Sequence, residues 1–334
     1  MVQDSTFRRK PEIHLQALLK ALLEKDVISL GKAITLIESK HPDDKKQAVE
    51  LMGLILPHTG KSFKIGISGV PGVGKSTFIE VFGRMLTSKG YKIAVLSIDP
   101  SSSLTRGSIL GDKTRMTELS KDPNAYIRPT AAGNSLGGVA SNTREAILLC
   151  EAAGFEIIIV ETVGVGQSET MVKGMVDYFL LLMLAGGGDE LQGIKRGIME
   201  MADHLLINKA EGENTTAAKK AKEAYKNAIH LFPPNESEWI VPVGVCSAIE
   251  KTGIEEAWTF AETFRKQSTA NGWLEKNRIE QSIRWFHERI DSRLKDDFYS
   301  NPGTLKEIKE WEEKISSQKI SVRKAIDDLF KSHS

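Results

Sequence analysis

Cysteine is scarce in this 334-residue sequence, and no long hydrophobic run interrupts it. The two cysteines, Cys150 and Cys246, stand far apart in or beside apolar segments, and no CxxC pair occurs. A disulfide framework is therefore not expected; two buried free thiols in a reducing compartment are. An excess of either charge is missing too, with Lys+Arg 45 against Asp+Glu 44 and a net charge of +1. Without a basic field, neither nucleic acid nor a membrane surface is an expected partner. The longest apolar run, YFLLLMLA at 178–185, is far shorter than the ~20 residues a membrane span needs and reads as a buried strand. Near the N-terminus, Leu15, Leu18, Leu19, Leu22 and Leu23 share one helical face, while Lys20 and Glu24 break the apolar stretch. That pattern predicts an amphipathic helix rather than a targeting segment, and a cytoplasmic setting.

What the chain does have is hydrophobic residues at 40%, enough for one large domain of about 200–250 residues with appendages. Seven apolar runs read as strands: FKIGIS, YKIAVLSID, AYIRP, FEIIIVE, DYFLLLMLA, DHLLINK and WIVPVGVCSA. Helix-like segments such as KSTFIEVFGRMLTSKG and SNTREAILLCEAAG separate most of them. Near-continuous apolar strands alternating with helices predict an α/β fold, a mostly parallel sheet with helices on both faces. The expected organisation is a helical extension over 1–60, the α/β domain over 61–268, and C-terminal helices over 269–334. In that last part Ile279, Ile283, Phe286, Ile290 and Leu294 keep helical spacing, NPG at 301–303 breaks the run, and one further helix is expected over 304–331.

The stretch GISGVPGVGKST carries Gly69, Gly74, Lys75 and Ser76 in the register GxxxxGK[ST], between a strand and a helix. In that context the loop Gly69, Val70, Pro71, Gly72, Val73, Gly74, Lys75, Ser76 and Thr77 predicts a nucleoside triphosphate site. Glycines let the loop turn back so that successive N–H groups converge, and the helix N-terminus adds its positive end. Lys75 reaches the β- and γ-phosphates, and the Ser76 hydroxyl is placed to ligate Mg²⁺.

Such a loop needs a carboxylate at the end of a neighbouring strand to hold the metal. Asp99, ending YKIAVLSID, and Glu161, ending FEIIIVE, are both candidates. Glu161 opens a DxxG-like element in which Gly164 can offer its N–H to a γ-phosphate. Between them, Asp112 in SLTRGSILGDKTRM can reach the metal or its water, and Arg106, Lys113 or Arg115 can neutralise phosphate. The glutamine that orients water in Ras-like proteins directly after DxxG is replaced by Val165, with Gln167 two residues later. Slow intrinsic hydrolysis is expected, completed by a movable loop or a partner. The glycine-rich AGGGDELQGIKRG at 185–197 is the candidate loop, with Asp189 or Lys195 as the group it delivers.

NKAE at 208–211 ends a strand on the edge where ligands bind in open α/β sheets. Asn208 can brace the loop, the Lys209 stem can lie over a base, and the Glu211 carboxylate can accept from guanine N1–H and N2–H₂. Adenine presents a lone pair at N1 and is repelled. After the next strand, Ser247 and Ala248, with Ile249 beside them, match the element that closes over guanine from the opposite side.

Taken in order, GVPGVGKST, LSIDPSSSLTRGSILGDKTRM, RPTAAGNSLGGVA, VETVGVGQSE and LAGGGDELQGIKRGIMEMADHLLINKA resemble the MeaB/ArgK/MMAA family of methylmalonyl-CoA mutase-associated GTPases. The resemblance covers roughly residues 10–295 and implies a P-loop GTPase with C-terminal helices that help form a homodimer. It further implies GTP/GDP and Mg²⁺ as ligands and a chaperone-like role toward an adenosylcobalamin-dependent acyl-CoA mutase. In that role GTP gates cofactor loading from a cobalamin adenosyltransferase and the mutase is protected from inactivation. Position by position, Lys75 and Ser76 hold phosphate and Mg²⁺, and Asp99, Asp112 and Glu161 form the acidic metal surroundings. Residues 185–197 become the loop that responds to the mutase. The family pattern has NKAD where this chain has Glu211. Two other classes stay open. A nickel-delivery GTPase would carry Cys/His metal sites, whereas the seven histidines here are scattered. A P-loop kinase would need a phosphoacceptor pocket and would not need NKAE with CSA.

Overall fold

The computed structural model of the chain describes residues 14–98, 116–130, 136–162, 168–185, 196–233 and 235–331. Those residues divide into two compact units, 1–281 and 282–334.

The first unit opens with three helices, α1 (Leu15–Leu23), α2 (Val27–Glu38) and α3 (Pro42–Ile55). The Asp26 carboxylate caps α2 by accepting from the N–H groups of Ile28 and Ser29, and Pro42 sits in the first turn of α3, where its missing N–H costs nothing. The α/β part then alternates through β1 (Phe63–Gly69), α4 (Lys75–Ser88), β2 (Ile93–Ile98), β3 (Ala125–Thr130), α5 (Leu136–Ala152), β4 (Ile157–Thr162) and α6 (Ser168–Lys173). It continues with β5 (Tyr178–Leu184), α7 (Arg196–Glu200), β6 (His204–Asn208), α8 (Asn214–Ile229), β7 (Val243–Val245) and α9 (Ile254–Ala270). The seven strands form one sheet in the order β3-β2-β4-β1-β5-β6-β7, and every pairing is parallel.

Because side chains alternate across a strand, the apolar runs feed two cores. Ala94, Leu96, Ile158, Val160, Phe179, Leu181 and Leu205 meet Leu22, Leu30, Leu51, Leu149, Val172 and Tyr225 from the helices on one face. Ile93, Val95, Ile157, Ile159, Leu180, Leu182 and Leu206 meet Phe78, Phe82, Trp258 and Phe264 on the other. The N-terminal helices thus share a core with the sheet. Both cysteines are buried free thiols.

All seven expected strands form, with one shortened. β7 begins only at Val243, because Pro242 lacks the N–H a ladder requires. At the sheet edge opposite the P-loop, Asp177 is fully buried and accepts from Arg278 Nε at 2.8 Å, Arg278 Nη2 at 2.6 Å and the Lys64 N–H at 2.9 Å. Arg278 also donates to the carbonyls of Gly60 and Ser62, both at 2.6 Å. This clamp fixes the start of α10 (Trp273–Ser300) on the first unit.

The second unit contains the rest of α10, then α11 (Pro302–Ser316), capped by Asn301, and α12 (Val322–Lys331). The single helix expected over 304–331 is therefore two. Gln318 takes a left-handed φ of 55°, and the Ser316 and Ser317 hydroxyls turn back onto the carbonyls of Glu312 and Glu313. Phe298 stacks on Phe330 at 5.3 Å within this unit. Among the described residues no helix is long and apolar enough to cross a membrane.

Candidate functional site

β1 lies at the centre of the sheet, and the chain leaves it at Gly69 into the glycine loop. A Cβ on Gly69 would meet the Leu182 carbonyl oxygen at 2.5 Å, and one on Gly74, at φ +93°, would meet Asn208 Nδ2 at 2.8 Å. Those contacts explain why glycine is required at both positions. Val70 and Gly74 are half-buried, Val73 is buried, and Pro71, Gly72 and Thr77 are exposed. The loop passes into α4, whose first residue is Lys75. The Lys75 ammonium is buried and donates to the carbonyls of Gly69 at 2.8 Å and Val70 at 3.3 Å. Burial pulls its proton affinity below the usual lysine value, and the charges of Glu161 and Glu169 oppose that shift.

Glu161 lies within β4, in register with Ile67 of β1 and Ser97 of β2. Its carboxylate accepts from Ser76 Oγ at 3.1 Å and from Ser97 Oγ at 3.5 Å. Beside it, Ser68 Oγ and Thr162 Oγ1 share a hydrogen bond of 2.9 Å. A hydroxyl and a carboxylate converging beside a phosphate loop form a hard-oxygen donor set, which suits Mg²⁺ held by one or two protein ligands together with phosphate oxygens.

Three strands along the sheet from β4, Asn208 joins three segments. Its Nδ2 donates to the Val73 carbonyl at 2.9 Å, while its Oδ1 accepts from the Ala248 N–H at 3.3 Å and from Cys246 Sγ at 3.4 Å. The glycine loop, NKAE and CSA thus share one side chain. Lys209 adopts a left-handed φ of 60°, rare for a residue with a side chain and a mark of functional loops, and its Cε approaches Gly74. Glu211 is half-buried, and its Oε2 is buried with no hydrogen-bond partner among the described residues. Burial, with the Glu211 charge added, pushes the Cys246 thiol up to about 12. Ser247 Oγ accepts from the Glu250 N–H at 3.0 Å; Ala248 is buried, and Ile249 is 73% exposed.

Lys75, Ser76 and Glu161 therefore meet at one point, and Asn208, Cys246 and Ala248 at a second, with Glu211 acting on Cys246 and Val73 linking the two. Asp99, Asp112, Gly164, Gln167, Asp189 and Lys195 lie outside the described residues. Sequence reasoning passed over Ser97, whose contact depends on strand register, and Glu169, which is buried beside the glycine loop. Its place in QSE, eight residues after Glu161, is the only signal the sequence carried.

A parallel sheet with a glycine loop between its central strand and a helix defines a P-loop nucleoside triphosphatase. Comparison with known proteins carries the identification further. The family model described as Methylmalonyl Co-A mutase-associated GTPase MeaB matches residues 30–303. The chain is 44% identical to the GTPase ArgK of Escherichia coli, over 87% of this chain and 88% of that protein. It is 42% identical to the mouse protein named Methylmalonic aciduria type A homolog, mitochondrial, over 96% of this chain and 80% of that one. The crystal structure of an LAO/AO transport system kinase superposes with a TM-score of 0.76 at 35% identity, covering 97% of this chain and 99% of the other. The chain belongs to the MeaB family, and it is a GTPase that binds GTP and GDP.

Proposed function

We propose that this GTPase serves an adenosylcobalamin-dependent acyl-CoA mutase, methylmalonyl-CoA mutase before others, and that its GTP cycle gates cofactor loading and protects the mutase. Membership of the MeaB family supports the partner, since the family is described by its association with that mutase. The observation that carries the nucleotide reading is Glu211 Oε2, buried without a partner beside the Asn208 bracket. A buried acceptor left open is costly unless a ligand donor completes it, and guanine N1–H and N2–H₂ are donors of the right kind.

In this reading the loop N–H groups and Lys75 hold the β- and γ-phosphates, with Gly164 offering its N–H to the terminal one. Ser76 and Glu161, with Asp99 and Asp112, hold Mg²⁺, which when bound screens the charge on the transferring phosphate. Asn208 keeps base and phosphate subsites in register. Gln167, Asp189 and Lys195 are the proposed groups that complete hydrolysis, delivered when the mutase engages residues 185–197. A cobalamin adenosyltransferase is the proposed cofactor donor.

GTP turnover by the purified protein, with and without methylmalonyl-CoA mutase, tests the proposal. Slow basal hydrolysis, a clear rise with the mutase and loss of that rise in Lys195→Ala are expected. Absence of stimulation by any acyl-CoA mutase of this cofactor class refutes the partnership. Phosphate release without a phosphorylated acceptor separates hydrolysis from kinase chemistry.

A further inference from the structure

Two buried carboxylates act on the one buried lysine of the glycine loop, and only the first has an assigned task. Glu161 is engaged by Ser76 and Ser97. Glu169, on α6, is 7% exposed, and its carboxylate forms no hydrogen bond or ion pair with any described residue. Held largely out of solvent, its charge is only partly screened. The packing of α6 shows where it lies. Val172 seats against β1 so closely that a Cβ on Gly66 would meet Val172 Cγ1 at 2.8 Å. Glu169 is three residues earlier, on the same helical face one turn back. Helix and parallel strand run in opposite directions, so that turn lies toward the end of β1 from which the glycine loop departs. Its electrostatic action on Lys75 agrees with that placement.

We infer that Glu169 is a positioning residue that sets how strongly this GTPase prefers GTP to GDP, by competing with the third phosphate for Lys75. The inference rests on the nucleotide placement proposed above. Before any ligand arrives, two carboxylates act on the single ammonium of Lys75. A terminal phosphate must draw the ammonium away from the Gly69 and Val70 carbonyls, against the field of Glu169. GDP offers Lys75 only its β-phosphate and meets less of that field. The consequence is a site held back from binding GTP too tightly, and one that helps expel phosphate once it is cleaved.

Dissociation constants for Mg²⁺–GDP and for Mg²⁺ with the non-hydrolysable β,γ-imido analogue of GTP, measured by calorimetry on the full chain, test this. Glu169→Gln should raise the preference for the triphosphate about tenfold, leaving GDP within about twofold, as expected for one charge removed at short range in a partly screened site. Glu169→Asp should return the preference toward wild type, which a purely structural role would not do. Glu169→Met gives the same readout should the glutamine variant fold poorly. An unchanged ratio, or equal shifts for both nucleotides, overturns the inference while leaving the GTPase reading intact. Failure of wild type to bind either nucleotide overturns the reading of the site, and this inference with it.

Discussion

Glu211 is one methylene longer than the aspartate of the family pattern the sequence resembles, and its Oε2 stands open. The carboxylate acts electrostatically on Cys246 and leaves one oxygen without a hydrogen-bond partner among the described residues. In Glu211→Ala the GTP-over-ATP preference should fall by about a hundredfold or more, because the charged acceptor proposed for the guanine donors is gone. Glu211→Asp should keep the preference. Competition binding with both nucleotides checks this, and equal preference in wild type and alanine variant would reduce Glu211 to a helix-start residue. His204 poses a different problem at the same scale. It is fully buried between Tyr178 and Phe260, and neither ring nitrogen has a hydrogen-bond partner. Burial lowers its pKa from 6.5 to about 3. The unfolded chain therefore takes up a proton below pH 6.5 that the folded chain refuses until about pH 3. Stability should fall as pH drops through that window, by about 2 kcal/mol at pH 5 relative to neutral pH. His204→Phe should lack this contribution and be at least as stable at neutral pH. Urea denaturation of both proteins at pH 7.5 and pH 5 measures the difference; equal acid losses would show that His204 is not its source.

At the scale of elements, the sheet was legible because its strands are nearly continuous apolar runs, and a parallel sheet buried on both faces demands nothing else. The glycine loop was legible because its chemistry is local, with its phosphate-binding groups inside nine residues. What stayed hidden depends on distance along the chain. The break between α11 and α12 carries neither glycine nor proline, so no residue type announced it. Arg278 and Asp177 are 101 residues apart, and nothing near either one identifies its partner. The clamp they make is an element-scale device, since it joins the start of α10 to the segments before β1 and β5. Arg278→Ala leaves the Asp177 carboxylate buried, with Lys64 Nζ as its remaining cation at 3.9 Å. A loss of about 3 kcal/mol is expected, the usual cost of stranding one member of a buried pair. Asp177→Ala with Arg278→Ala should cost less than the two single losses added. Thermal unfolding of the four proteins provides the cycle, and strict additivity would mean that the pair is not coupled.

At the scale of the whole molecule, the division of labour follows from where charge and apolar surface fall. Every described residue of the nucleotide site lies within 1–281. That unit instead exposes an apolar stripe along α10. Ile283, Phe286, Ile290 and Leu294 stand at 53%, 62%, 39% and 64% exposure with helical spacing. A monomer gains nothing by wetting such a row, and a second copy of the same helix can cover it through a two-fold contact in which each stripe meets its equivalent. A homodimer, which the family resemblance implies, would place its contact on α10. Phe286→Glu with Leu294→Glu sets four carboxylates into that contact, two from each chain, where they repel and cannot be desolvated cheaply. Light scattering should then give a mass near the 36.9 kDa of one chain in place of twice that value. GDP binding should persist, because no group of the nucleotide site has been touched. A double variant that remains dimeric would remove the stripe from the interface. A wild-type protein that is monomeric at micromolar concentration would leave α10 exposed for some purpose other than self-association.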